Sequence, residues 1–133
     1  MIIVGVIGGA AAIGGGIYHK IKNREAKEVS EFRSALKTYL DAIRKGSLDT
    51  NAIEDLMSSL EALKQRKDYE KITIELSTEE LDVLVNRIYE YTQKLAMDNN
   101  IELTEAECTD TNNTILNLQN YLKAQKRIFE AAA

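Results

Sequence analysis

The sequence lacks proline entirely, and its glycines are almost confined to the first sixteen residues. Six of the seven glycines lie in residues 5–16, and Gly46 is the only one after them. Proline and glycine are the residues that most often interrupt helices and form tight turns. Their scarcity over most of the chain excludes a turn-rich β architecture and favours long, uninterrupted helices. The sequence therefore predicts an all-α fold.

Residues suited to catalysis or metal binding are equally scarce. Cys108 is the only cysteine and His19 the only histidine. A lone cysteine cannot form an intrachain disulfide, and neither residue has in sequence the acid–base partner that an activated nucleophile needs. The carboxylates from Asp98 to Asp110 do not fit a calcium loop, because Leu103 stands where its glycine belongs. We expect no enzymatic activity, no cofactor and no bound metal.

The charge is unevenly distributed along the chain. Residues 19–27 carry a net charge of +3, whereas the whole chain carries −4, so the remaining residues are strongly acidic. An acidic surface is repelled by the phosphate backbone of nucleic acids. We therefore expect no nucleic-acid partner, and no motif points to a small-molecule substrate.

The first residues form an apolar run that fits a membrane anchor. Residues 2–18 contain no charged side chain. As a helix, this run would be about 26 Å long, close to the hydrocarbon thickness of about 30 Å. An interfacial aromatic and juxtamembrane cations follow: Tyr18, Lys20, Lys22 and Arg24. Cations favour the cytoplasmic side. We predict a single-pass anchor at residues 1–18, a basic linker at 19–27, and an N-out orientation with the helical domain in the cytoplasm.

Small residues are regularly spaced within this run. The repeat of four residues would place them on two strips of one helix, at Gly5 and Gly9 and at Gly8, Ala12 and Gly16. Such strips let two membrane helices approach closely. We expect these positions to be the packing face of the anchor, with the lipid bilayer as its surroundings.

Two other interpretations of the run remain open. Only Met1 precedes the apolar residues, so the basic region of a signal peptide is missing, but Ala10 and Ala12 still offer a cleavage site. Alternatively, the run is an arm buried between subunits of an assembly.

The remainder of the chain predicts about four amphipathic helices in an antiparallel bundle over residues 28–133. Apolar residues recur at spacings of three and four, which places them on one side of each helix. The four stripes are Val29, Phe32, Leu36, Tyr39 and Ile43; Ile53, Leu56, Met57, Leu60 and Leu63; Leu81, Leu84, Val85, Ile88, Tyr91 and Leu95; and Ile115, Leu118, Tyr121, Leu122, Gln125, Ile128 and Phe129. The first helix is expected to end at Gly46, the second to be capped by Thr50, and the third by Ser77.

One segment departs from the helical pattern. Residues 71–76 alternate Ile72, Ile74 and Leu76 with Thr73 and Glu75, which is typical of a strand. A single strand leaves its backbone groups unpaired. We therefore expect a short extended segment here, with Ile72, Ile74 and Leu76 as candidate residues for pairing between subunits.

These features favour a small membrane-anchored adaptor or scaffold. It would act by binding itself or another protein, which the sequence does not identify. Two alternatives come from other classes. One is a membrane-active effector whose apolar helices form a pore-forming oligomer, and the other is a structural subunit of a filament or shell with a buried apolar arm.

Overall fold

The computed structural model describes residues 26–76, 78–108 and 111–132. Within these ranges the chain forms five α-helices and one 3-10 turn, and it contains no strand, which confirms the all-α prediction. The predicted anchor and most of the basic linker lie outside the described residues. The helices are α1 (Lys27–Lys45), α2 (Thr50–Lys64), α3 (Tyr69–Leu76), α4 (Glu79–Asp98) and α5 (Thr114–Ala132), and the 3-10 turn is Ala106–Cys108.

The four long helices, α1, α2, α4 and α5, bury the four predicted stripes. Every stripe residue is buried except Met57, which packs half-buried against the core. Because each stripe is narrow, no single helix would be stable alone, and the helices need one another to remove their apolar faces from water. The prediction of a helical bundle is confirmed.

Gly46 ends α1 as predicted. Its φ of 68° lies in the left-handed region, which glycine adopts without a steric penalty. In this conformation its backbone N–H donates to the Ile43 carbonyl at 3.1 Å, and the N–H of Ser47 donates to the Ala42 carbonyl at 2.9 Å. These bonds satisfy carbonyl groups that a helix end leaves unpaired.

The two predicted caps are each displaced by one residue. Asp49, not Thr50, caps α2 by accepting from the Ala52 N–H at 3.0 Å. Thr78 caps α4 by accepting from the Leu81 N–H at 3.2 Å. In both cases the cap lies three residues before the first buried position of the helix. The register of the buried face thus selects between adjacent residues that are both able to cap.

The strand prediction for residues 71–76 is wrong, because this segment forms the last six of the eight residues of α3. Ile72 and Leu76 are buried, whereas Ile74 points into solvent. A spacing of four residues lies on one side of a helix, so the same letters that alternate as a strand also fit a short helix. The expected pairing between subunits through Ile72, Ile74 and Leu76 required a strand, and this segment forms a helix instead.

Helices α1 and α2 form an antiparallel hairpin. Glu28, in the first turn of α1, pairs with Arg66, just beyond the end of α2, at 2.8 Å. We call this end of the bundle, where α1 begins and α2 ends, the near end, and the opposite end the far end.

Helices α4 and α5 are parallel, contrary to the predicted antiparallel arrangement. At the near end, Thr114 at the start of α5 donates to Asp82 near the start of α4. Further along, the rings of Tyr89 and Tyr121 are 5.0 Å apart, and Gln125 donates to Thr92. These pairs progress in the same direction along both helices. The 15-residue connection from 99 to 113 makes this possible, since a chain of this length can span the about 30 Å of a helix.

The difference between the two isoleucines of α3 can be tested by substitution. Ile72→Ala should lower the free energy of unfolding by about 2–4 kcal/mol, because it removes a buried side chain. Ile74→Ala should change it by less than about 0.5 kcal/mol, because the side chain is exposed. Urea unfolding of a chain beginning at Arg24, followed by circular dichroism, measures both. Equal losses at the two positions would contradict the helix.

Candidate functional site

The predicted site residues divide into two groups. The residues of the small strips and the juxtamembrane group all lie outside the described residues: Gly5, Gly8, Gly9, Ala12, Gly16, Tyr18, Lys20, Lys22 and Arg24. The structure places Ile72, Ile74 and Leu76 together on α3. Because α3 connects the end of α2 to the start of α4, these three residues lie at the near end.

An ion-pair cluster fixes α3 beside the start of α1. The Arg66 guanidinium donates to Glu28 at 2.8 Å through Nη1 and to Asp68 at 2.8 Å through Nε. A hydrogen bond from its own backbone N–H lowers the pKa of Glu28, and Arg66 lowers it further. Exposed pairs of this kind contribute little to stability. Their importance here is positional, since they link Arg66, the second residue after α2, to the first turn of α1.

Exposed apolar side chains gather at the near end. Ile74 is 76% exposed, Val83 in the first turns of α4 is 52% exposed, and Leu116 in the first turn of α5 is 37% exposed. Of the large hydrophobic residues described, Met97 is the other exposed one, at 77%, and it lies at the far end of α4. The near end therefore carries three of these four residues.

Local capping sets the start of α5 at the near end. Asn113 accepts from the Leu116 N–H at 3.1 Å, which satisfies a donor of the first turn. Asn117 holds the preceding loop, because its Oδ1 accepts from both the backbone N–H and the hydroxyl of Thr111, at 2.8 and 2.7 Å. These contacts and the Thr114–Asp82 bond align the starts of α4 and α5.

A chain of hydrogen bonds crosses the core between three helices. The Tyr39 hydroxyl on α1 donates to Oε1 of Gln125 on α5 at 2.7 Å. Gln125 Nε2 donates to Thr92 Oγ1 on α4 at 2.9 Å, and Thr92 donates in turn to the Ile88 carbonyl at 2.7 Å. All three side chains are fully buried. Burial raises the pKa of Tyr39 far above its usual range, so the phenol stays protonated and remains a donor.

Arg127 holds the connection between α4 and α5 through hydrogen bonds to Glu107 and Glu102, which we call the clamp. Arg127 donates to both oxygens of Glu107, at 2.7 Å each, and to the Glu102 carbonyl at 2.9 Å. Glu107 also accepts from the Thr104 N–H at 2.7 Å, and its own N–H donates to the Thr104 hydroxyl at 3.2 Å, so these two residues form a capping pair for the 3-10 turn. Arg127 is the main cause that lowers the pKa of Glu107 to about 2, against the opposing effect of burial.

The described residues offer little chemistry beyond these structural contacts. Among residues 26–76, 78–108 and 111–132, no group of three His, Cys, Asp or Glu side chains is arranged to hold a metal ion. Cys108 is a half-buried free thiol. In the same ranges, no helix combines the length and the apolar character needed to cross a membrane.

Comparison with known proteins supplies no relative. No family model, curated protein or solved structure matches the chain. The arrangement of its own residues must therefore support any functional proposal.

The sequence predicted only part of the hydrogen-bond chain formed by Tyr39, Gln125 and Thr92. Tyr39 and Gln125 lie at stripe positions and were expected to be packing residues, whereas Thr92 was not singled out at all. A glutamine within an apolar stripe is the signal that sequence reasoning could have used, because a buried amide needs partners for both of its ends. Which partners those are depends on the alignment of helices that are distant in sequence.

The contribution of this hydrogen-bond chain to stability can be tested with a substitution that keeps the length of the side chain. Gln125→Met leaves the Tyr39 hydroxyl without its acceptor, so the free energy of unfolding should fall by about 1–3 kcal/mol. Adding Tyr39→Phe and Thr92→Val should recover part of this loss, because the polar partners are then removed together. Gln93→Met, on the exposed side of α4, is the matched control. Urea unfolding that shows equal effects for Gln125→Met and Gln93→Met would contradict a stabilising chain.

The clamp predicts a dependence of stability on pH. Because the folded-state pKa of Glu107 is about 2 and its unfolded value is about 4.3, the stabilisation is present above about pH 5 and is lost as the pH falls towards 2. Since Arg127 is 42% exposed, screening limits the contribution to about 1 kcal/mol. Glu107→Gln should remove this contribution at pH 7, and the free energy of unfolding should then change less between pH 5 and about 2 than it does in the wild type. Urea unfolding at a series of pH values measures this.

Glu102→Gln is the control for the clamp. Its backbone carbonyl, rather than its side chain, accepts from Arg127, so this bond survives the substitution. If Glu102→Gln and Glu107→Gln change the pH dependence of the free energy of unfolding equally, the clamp does not cause that dependence.

Proposed function

We propose that the chain is a small membrane-anchored helical protein that acts as an adaptor or scaffold. Residues 1–18 form the anchor, the amino terminus lies outside, and the bundle lies in the cytoplasm. There the bundle binds a protein partner or a second copy of itself, and it catalyses no reaction.

The observation that supports this proposal is the closure of the core within the described residues. The four stripes bury one another between Val29 and Phe129, using helices that lie after the apolar run. The described helices thus bury their own stripes, and a lipid bilayer is a suitable surrounding for the apolar run of 17 residues that precedes them in the sequence. The cations that follow the run favour the cytoplasmic side for the bundle.

The polar interior also favours a binding role over catalysis. The buried Tyr39, Thr92 and Gln125 satisfy one another across the core. The ion pairs of Arg66 and Arg127 hold connections in place on the surface. Each of these groups therefore already has a structural role that accounts for its position.

The anchor and its orientation can be tested together by translating the full chain with microsomes. We expect the chain to stay in the membrane pellet after an alkaline carbonate wash, because an integral helix resists extraction. We also expect no glycan at the acceptor sequence Asn112-Asn113-Thr114, because the predicted orientation keeps it on the cytoplasmic side.

Two control chains make the outcome decisive. A chain beginning at Arg24 should move to the supernatant, and Asn112→Gln removes the acceptor. Release of the full chain by carbonate would contradict the anchor, and a mass shift that Asn112→Gln abolishes would reverse the orientation.

A further inference from the structure

We propose that the near end rests on the membrane surface, with Ile74 entering the interface of a zwitterionic bilayer. This inference rests on the proposed function, because the anchor is what brings the bundle to the bilayer. It adds a defined orientation of the bundle and a second contact with lipid.

The first argument is the length of chain that leaves the near end. Helix α1 begins at Lys27, and the predicted anchor ends at Tyr18. Nine Cα–Cα steps separate residues 18 and 27, and they can span at most about 32 Å when fully extended. The start of α1 therefore cannot move further than this from the interface, whereas the far end lies a further helix length away, about 28 Å for α1.

The second argument is that the cluster around Arg66 holds α3 at this tethered point. The 2.8 Å contact between Arg66 and Glu28 joins the second residue after α2 to the first turn of α1. Helix α3 begins three residues later, at Tyr69, with Ile72 and Leu76 turned into the bundle. Its opposite side, which carries Ile74, is left facing outward at the end nearest the anchor.

The third argument concerns the side chains around Ile74. Glu70 and Lys71 lie four and three residues before it, on the same side of α3, and Lys67 precedes the helix. A long lysine stem can lie along an apolar surface while its charge stays in the headgroup region. This mixture of an apolar tip and both signs of charge suits the interface of a neutral membrane.

The charges of the whole near end select the kind of lipid. Glu79, Glu80 and Asp82 occupy the first turn of α4, where they complement the positive end of the helix dipole. Together with Glu70 and Glu75 they make this end slightly acidic. The basic linker at residues 19–27 brings a net charge of +3 to the same end and offsets this acidity, so the membrane-facing charges nearly cancel and a zwitterionic surface is the better partner.

Tethering explains why one isoleucine suffices. A single exposed apolar side chain would not recruit a free protein to a membrane. Once the anchor is inserted, however, the second contact is intramolecular, and its effective concentration is set by the short linker. A weak preference of Ile74 for the interface can then orient the whole bundle.

Tryptophan substitution offers a direct test, because the chain contains no tryptophan. Ile74→Trp and Met97→Trp form a matched pair, with wild-type exposures of 76% and 77% at opposite ends. Each full chain is placed in vesicles of phosphatidylcholine, with or without bromine on the acyl chains. We expect brominated lipid to quench the tryptophan at position 74 several-fold more strongly than the one at position 97.

A carbonate wash of the same vesicles separates the two proposals. If both variants stay with the vesicles but are quenched equally, the orientation is overturned while the anchor stands. If both variants are released by carbonate, the anchor fails and the orientation fails with it. Stronger quenching at position 74 in retained chains supports the inference.

Discussion

A buried amide sets the alignment of three helices. Gln125 has no contact with solvent, so both ends of its side chain need partners within the protein. Its oxygen accepts from Tyr39 on α1 and its nitrogen donates to Thr92 on α4. Both bonds form together only when the three helices stand at one height along the bundle. Apolar contacts alone would allow one helix to shift along its neighbour by one turn, because each stripe repeats about every turn. The hydrogen bonds of Gln125 would be broken by such a shift.

The bonds of Gln125 set the relative height of α4 and α5 but not their direction, and the parallel direction imposes a requirement of its own. Once Thr92 and Gln125 face each other with both helices running the same way, the chain has to return along the full length of the bundle between them. The return is held at one point by Arg127, which reaches Glu107 and the Glu102 carbonyl, and at another by Asn117, which holds Thr111. Ordering a connection of this length costs conformational entropy, and these contacts offset part of that cost.

How much could be read from the sequence depends on the range of the interaction. The stripes and the end of α1 at Gly46 are local patterns, and both were predicted correctly. The predicted caps were wrong by one residue because neighbouring residues such as Asp49 and Thr50 are both able to cap, and the buried register of the helix selects between them. The strand prediction for the segment containing Ile72 and Leu76 was wrong because a pattern of six residues fits both a strand and a short helix. The predicted direction of α5 was wrong because it depends on several contacts between residues far apart in sequence, such as Asp82 with Thr114 and Thr92 with Gln125, which are 32 and 33 positions apart.

The same parallel pair decides what the two ends of the bundle expose. With α1, α4 and α5 running in one direction, three helix starts meet at the near end, and the first turns of α1 and α4 carry acidic residues that offset the positive ends of their dipoles. Val83 and Leu116 lie close to these starts. If α5 ran the other way, Leu116 would lie at the far end beside Met97, and the exposed apolar residues would be divided evenly. Scattered apolar side chains are normal on a protein surface. Their concentration at the end from which residues 1–25 leave is a direct consequence of helix direction.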